Sequence, residues 1–304
     1  MDLIGKIFEK LNLSIVWKGN QKKVVKQTKG GLQVHQEKGG VTNIFQIQNL
    51  NIADIQELAG SDTIQDPNAL LKGAGQRFLT EQAIKQENLK ITVDKADLGA
   101  IENPQQVEKD WFFKWMEISQ TVSRENVQEI LAKILSGEVK NSGSFSLRTL
   151  DILKNLSKIE LALFQSFCDI AYSIPMLGDT LTCLICEPYG NPGDNGMLSL
   201  GLSYSNLTIL QDAGLIQGDL NAWRKFQIPE MLQIPFALGS TSIIMQPTTE
   251  TTTIQARVKI INFTSVGLEL RSVLNIGTNL DYNSKFLEWV NSQWKMMPVK
   301  TSNV

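Results

Sequence analysis

The chain has 304 residues, 42% of them hydrophobic and 20% charged, with a net charge of −2. That length supports about two packed units, and the balance of apolar and charged residues excludes a disordered chain. No apolar run reaches the ~18 residues of a spanning helix, and three cysteines exclude a disulfide framework.

The N-terminus, MDLIGKIFEKLNLSIVW, carries neither a continuous apolar core nor a small-residue cleavage site, so the sequence reads as cytoplasmic. Residues 1–12 place Leu3, Ile4, Ile7, Phe8 and Leu11 on one helical face. Such a helix docks on a partner, on its own chain or, less commonly, on a membrane surface. Residues 1–40 hold eight lysines against three acids. Lys18, Lys22, Lys23, Lys26 and Lys29 follow one another without an intervening acid, as a solvated face or as a contact for nucleic acid. Two Gly-Gly pairs, at 30–31 and 39–40, punctuate an alternating stretch and predict a small β hairpin or meander, with His35 in its middle strand.

Helix is expected over 52–95, opened by Asp66 as N-cap and Pro67 at the first position and weakened, with a kink, at Gly73 and Gly75. From 106 to 172 the periodicity predicts four helices with short connections. Trp111, Phe112, Trp115 and Ile118 mark the first as core. Ser123 is read as the cap of the second, which carries Val127, Ile130, Leu131, Ile134 and Leu135 on one stripe and is expected to end at Gly137. Ser144 or Ser146 caps the third. Ser157 to Glu160 is a capping box for the fourth, which Pro175 is expected to terminate.

The remainder alternates between strands and helices. Strands are expected in DTLTCLICEPYG and near 231–237, 241–246 and 254–263. Helices are expected in SYSNLTILQDAGLIQ, closed by Gly214, in TSVGLELRSVLN, capped by Thr264, and in SKFLEWVNSQWKMM. The fold class is therefore α+β: an N-terminal helix and small β element over 1–50, a helical bundle over 51–175, and a mixed α/β unit of winged-helix-like topology over 176–304.

Candidate chemistry is sparse. Ser142, Gly143, Ser144 and Ser146 lie at a helix start between Lys140 and Arg148, where N–H groups and the helix dipole can hold a phosphate. The same hydroxyls equally serve as caps, and the spacing is not that of a P-loop. Cys183 and Cys186 form a C-x-x-C inside an apolar strand, which reads as two buried structural cysteines, since zinc would find only Cys168 and His35 as further ligands. One histidine and no G-x-S-x-G leave no assembled catalytic set, and neither a metal nor a cofactor is expected.

The run from Trp111 through VSRENVQEILAKILSGEVKNSGSFSLRTLDILKNLSKIELALF resembles a bacterial domain-of-unknown-function family, the twenty-eight-oh-six series, closely over 108–166. LTILQDAGLI and FTSVGLELRSVL are similar to its C-terminal half. The resemblance implies no catalytic residues, because the family has no established activity, and it suggests a setting beside anti-phage systems. The expected function is a non-catalytic sensor, adaptor or scaffold that contacts a protein partner or itself as a homo-oligomer. The alternative is a nucleic-acid or phosphate binder that uses the N-terminal lysines and the serine loop.

Overall fold

The computed structural model describes residues 67–99, 101–176, 179–228, 233–238, 241–248 and 254–299. The expectations for 1–50, with the five lysines and His35, and for 52–66 lie outside these. Backbone contacts divide the chain into two compact units, Met1–Ser142 and Gly143–Val304. Together the described residues form eight α-helices and one seven-stranded antiparallel sheet, a mixed α/β architecture.

The first unit holds α1 (Pro67–Lys95), α2 (Lys109–Thr121) and α3 (Glu125–Lys140). The apolar stripes read from the sequence form its core. Trp111, Phe112, Trp115 and Ile118 of α2 are buried, as are Val127, Ile130, Leu131, Ile134 and Leu135 of α3. Trp115 is fully buried, and its indole N–H donates to the Leu131 carbonyl at 2.9 Å, so the ring is enclosed without an unpaired donor.

Two boundaries differ from expectation. Arg124, not Ser123, is the N-cap of α3, and its side chain makes no cap bond. The Val127 N–H is instead met by Asn126 Oδ1 at 3.0 Å. Nor does Gly137 end the helix. The buried stripe continues to Val139, and Asn141 closes α3 by donating its N–H to the Gly137 carbonyl at 2.9 Å. Burial of one more apolar side chain outweighs a glycine's preference for the position past a helix end.

The second unit begins with α4 (Leu147–Asn155) and α5 (Lys158–Cys168), then β1 (Tyr172–Met176) and β2 (Asp179–Ile185). It continues with α6 (Tyr204–Asp212), β3 (Ala222–Ile228), β4 (Ile234–Leu238), β5 (Thr241–Pro247), β6 (Ile254–Asn262), α7 (Ser265–Arg271), α8 (Leu280–Trp294) and β7 (Met296–Pro298). The strand order is β3-β6-β2-β1-β4-β5-β7, with every neighbouring pair antiparallel.

Pro175 does not terminate a helix. Helix α5 ends at Cys168, and Pro175 sits within β1 opposite Thr180. Strand β4 pairs only with Tyr172 and Ser173, so the ladder on that side has stopped before a missing N–H would matter. Helix α8 packs an aromatic core against the sheet. Tyr172 stacks on Phe286 at 4.0 Å between centroids, Phe236 meets Trp294 edge-on at 6.1 Å, and the buried Tyr282 hydroxyl donates to the Ile185 carbonyl at 2.8 Å. Gly267, in the first turn of α7, lies against the Leu215 carbonyl, where an added Cβ would fall at 2.0 Å.

Candidate functional site

Helix α1 has two parts. Its last turns are anchored: Asn88, Leu89 and Thr92 are buried. Asn88 Nδ2 donates to the Gln120 carbonyl at 3.0 Å, and Gln128 Nε2 donates to Asn88 Oδ1 at 3.4 Å. Lys95 donates to Glu125 and Glu129, both at 3.2 Å, and these bonds hold its ammonium above the usual value. The stretch before this anchor is exposed. All nine side chains from Gln76 to Ile84 are exposed, including Leu79 at 63% and Ile84 at 48%, and Leu70 further back is 54% exposed. A groove of about 680 Å³ runs along the face that carries Ile84, lined among others by Gln76, Arg77, Thr80, Lys85 and Gln120, with Leu70 and Leu79 outside it.

The residues of the serine loop do not share one fate. Lys140 is exposed in the last turn of α3, where its charge suits the dipole. The Ser142 N–H donates to Gln105 Oε1 at 2.8 Å. The division between the two units falls between Ser142 and Gly143. Gly143 has φ +87°, a turn conformation that favours glycine. Ser144 is half-buried and Arg148 exposed. Ser146 is the N-cap of α4, accepting from the Thr149 N–H at 3.3 Å.

An anion does sit at this helix start, and it belongs to the chain. Glu269 of α7 accepts from the Ser146 N–H at 2.7 Å and from the Thr149 hydroxyl at 2.5 Å through the same oxygen. Thr149 has one hydroxyl proton and gives it to Glu269, so the Ser146 hydroxyl, 3.0 Å away, donates to Thr149 Oγ1. The helix dipole favours a carboxylate here as it would a phosphate.

All three cysteines are free and buried. Burial pushes the Cys183 thiol up to about 12 and raises Cys168 and Cys186 as well, so at neutral pH none of them is a thiolate. Among the described residues no group of three His, Cys, Asp or Glu side chains is placed to hold a metal ion, and no helix is long and apolar enough to cross a membrane.

The description "Protein of unknown function (DUF2806)" matches residues 72–287, most of the chain. The chain belongs to this family. The family match takes in most of α1, its exposed stretch included, α2 to α7 and half of α8. No curated protein and no solved structure matches the chain. Two features of the DUF2806 region escaped the sequence reading. Glu269 carries no local signal, being 123 residues from Ser146. Strand β3, AWRKFQI, offered two adjacent cations between two aromatics but no apolar run.

Proposed function

We propose that this DUF2806 chain is a non-catalytic contact protein, a sensor, adaptor or scaffold, whose docking surface is the exposed stretch of α1 and whose partner is a second copy of the chain. The observation that carries this reading is the exposure of Leu70, Leu79 and Ile84 on a helix with nine consecutive exposed side chains. A helix gains most of its stability from packing an apolar face, and Gly73 and Gly75 weaken this stretch further. The Glu81–Lys85 pair at 2.5 Å adds only a few tenths of a kcal/mol, roughly, at an exposed site. The reading extends to the anti-phage setting suggested by the sequence. It also takes α6, β3, β6 and α7 as a winged-helix-like run, a view supported by the antiparallel pairing of β3 with β6.

Light scattering on the eluting full chain is the test. At tens of micromolar, roughly the range of specific weak dimers, the wild type is expected to run above monomer mass and the Leu79→Glu/Ile84→Glu variant as a monomer with unchanged circular dichroism. A wild type that stays monomeric at that concentration overturns the reading.

A further inference from the structure

The sheet of the second unit ends in a surface of another kind. Strand β3 is the outermost strand and pairs along its length with β6. In that register Trp223 stands opposite Lys259 and Lys225 opposite Arg257. Because side chains alternate along a strand, these four share one face of the pair. Val258 and Ile260 point the other way and are buried.

Trp223 keeps 49% of its surface exposed with two cations over its ring, the Arg257 guanidinium at 4.6 Å and the Lys259 ammonium at 5.2 Å from the centroid. Lys225 and Arg257 are exposed, and Lys259 is partly so. Neither strand contains an aspartate or glutamate. Among the described residues no carboxylate forms an ion pair with any of the three cations. The Lys259 ammonium donates to Asn191 Oδ1. The carboxylate beside them is Glu187, which accepts from the Lys259 backbone N–H and whose carboxyl is held above its usual range by burial.

Cations gathered around a half-exposed indole on an edge ribbon suit a ligand with negative charges and flat rings in regular succession. We propose that this face binds single-stranded nucleic acid, with a base stacked on Trp223 and the flanking phosphates on Lys225, Arg257 and Lys259. Stacking on an aromatic ring accepts any base, so the binding is sequence-tolerant and salt-dependent. A duplex hides its base faces inside its own stack and offers this surface only phosphates. The residues are distinct from the N-terminal lysines and from the exposed stretch of α1, so this inference stands or falls separately from the proposed self-association.

Fluorescence anisotropy with the full chain and a labelled oligo-deoxythymidine of roughly 20 nucleotides tests it at about 50 mM salt. Trp223→Ala is expected to weaken binding about tenfold, while Trp223→Phe, which keeps a stacking ring, stays within about threefold. Lys225→Glu/Arg257→Glu should reduce affinity about a hundredfold and flatten the salt dependence, whereas Lys22→Glu/Lys23→Glu/Lys26→Glu should leave affinity nearly unchanged. A duplex of equal length should bind about tenfold more weakly. Unchanged melting temperatures would show that the losses are not unfolding. No binding at about 100 μM protein, equal affinity of the Trp223→Ala chain, or equal affinity for the duplex each overturns the proposal. So does displacement of the oligonucleotide by polyglutamate at equal charge, which would make an acidic protein the occupant.

Discussion

Helices α4 and α5 are consecutive and both start on a serine, yet they close their first turns differently. At α5 the solution is local. Ser157 accepts from the Glu160 N–H at 3.1 Å, and the Glu160 carboxylate reaches back to the Ser157 N–H at 2.6 Å. At α4 the residue in the third helical position is Thr149, which has no carboxylate to send back, and the acid arrives from α7 as Glu269. The capping geometry is the same, but one helix start is written within four residues and the other is assembled by the tertiary fold. The local box stabilises one helix. The remote carboxylate also ties α7 to α4, so its loss costs more.

The largest effect is therefore expected at Glu269. Glu269→Ala leaves the Ser146 N–H without its acceptor and takes away the charged acceptor of the fully buried Thr149 hydroxyl, which keeps only the Ser146 hydroxyl as partner. Losing two hydrogen bonds to a charged acceptor, one of them from a buried hydroxyl, costs about 2–3 kcal/mol. In a urea titration that appears as a lowered midpoint with an unchanged slope. Glu269→Gln keeps an oxygen that can accept both bonds and loses only the charge facing the helix dipole, about 1 kcal/mol. If Gln were as damaging as Ala, charge rather than hydrogen bonding would be what α4 requires.

Removing the serines sharpens the comparison. Ser157→Ala is expected to cost about 1 kcal/mol, the ordinary value for a capping hydroxyl. Ser146→Ala should cost less than that, because the substitution keeps the backbone N–H, and Glu269 still accepts from it and from Thr149. Midpoints from the same urea titration decide the order, and equal losses would mean that the remote carboxylate does not compensate.

The same contrast explains what could be read in advance. Ser157-Lys158-Ile159-Glu160 announces its cap, and the stripe from Val127 to Leu135 announces its buried face, because helical spacing makes both local. The serine of α4 was legible too, but only as a hydroxyl at a helix start, so a phosphate seat and a cap looked alike. What separates them is Glu269, supplied by chain folding across 123 residues. Strand β1 was hidden by Pro175, whose usual role as a terminator fails where the neighbouring ladder has ended. Strand β3 was hidden because an edge strand with exposed Trp223, Arg224 and Lys225 lacks the apolar alternation of a half-buried one. Helix α1 was legible as a helix, whereas its division into an anchored and an exposed part depends on how far α2 and α3 reach along it.

The smallest effect is expected at Glu160, and it depends on pH. The bonds from the Ser157 hydroxyl and backbone N–H hold the Glu160 carboxyl below its reference value of 4.5. A carboxylate whose folded pKa is depressed binds its proton more weakly than in the unfolded chain. Its contribution is thus complete above the unfolded pKa and fades as pH falls through the folded one. At an exposed position this contribution is small, about 0.5 kcal/mol at neutral pH and less in high salt. Glu160→Gln should then lower the urea midpoint slightly at pH 7, and the gap between variant and wild type should close on acidification below about 4.5. A gap that widened in acid would reverse the sign and place the stabilising partner of Glu160 elsewhere than the first turn of α5.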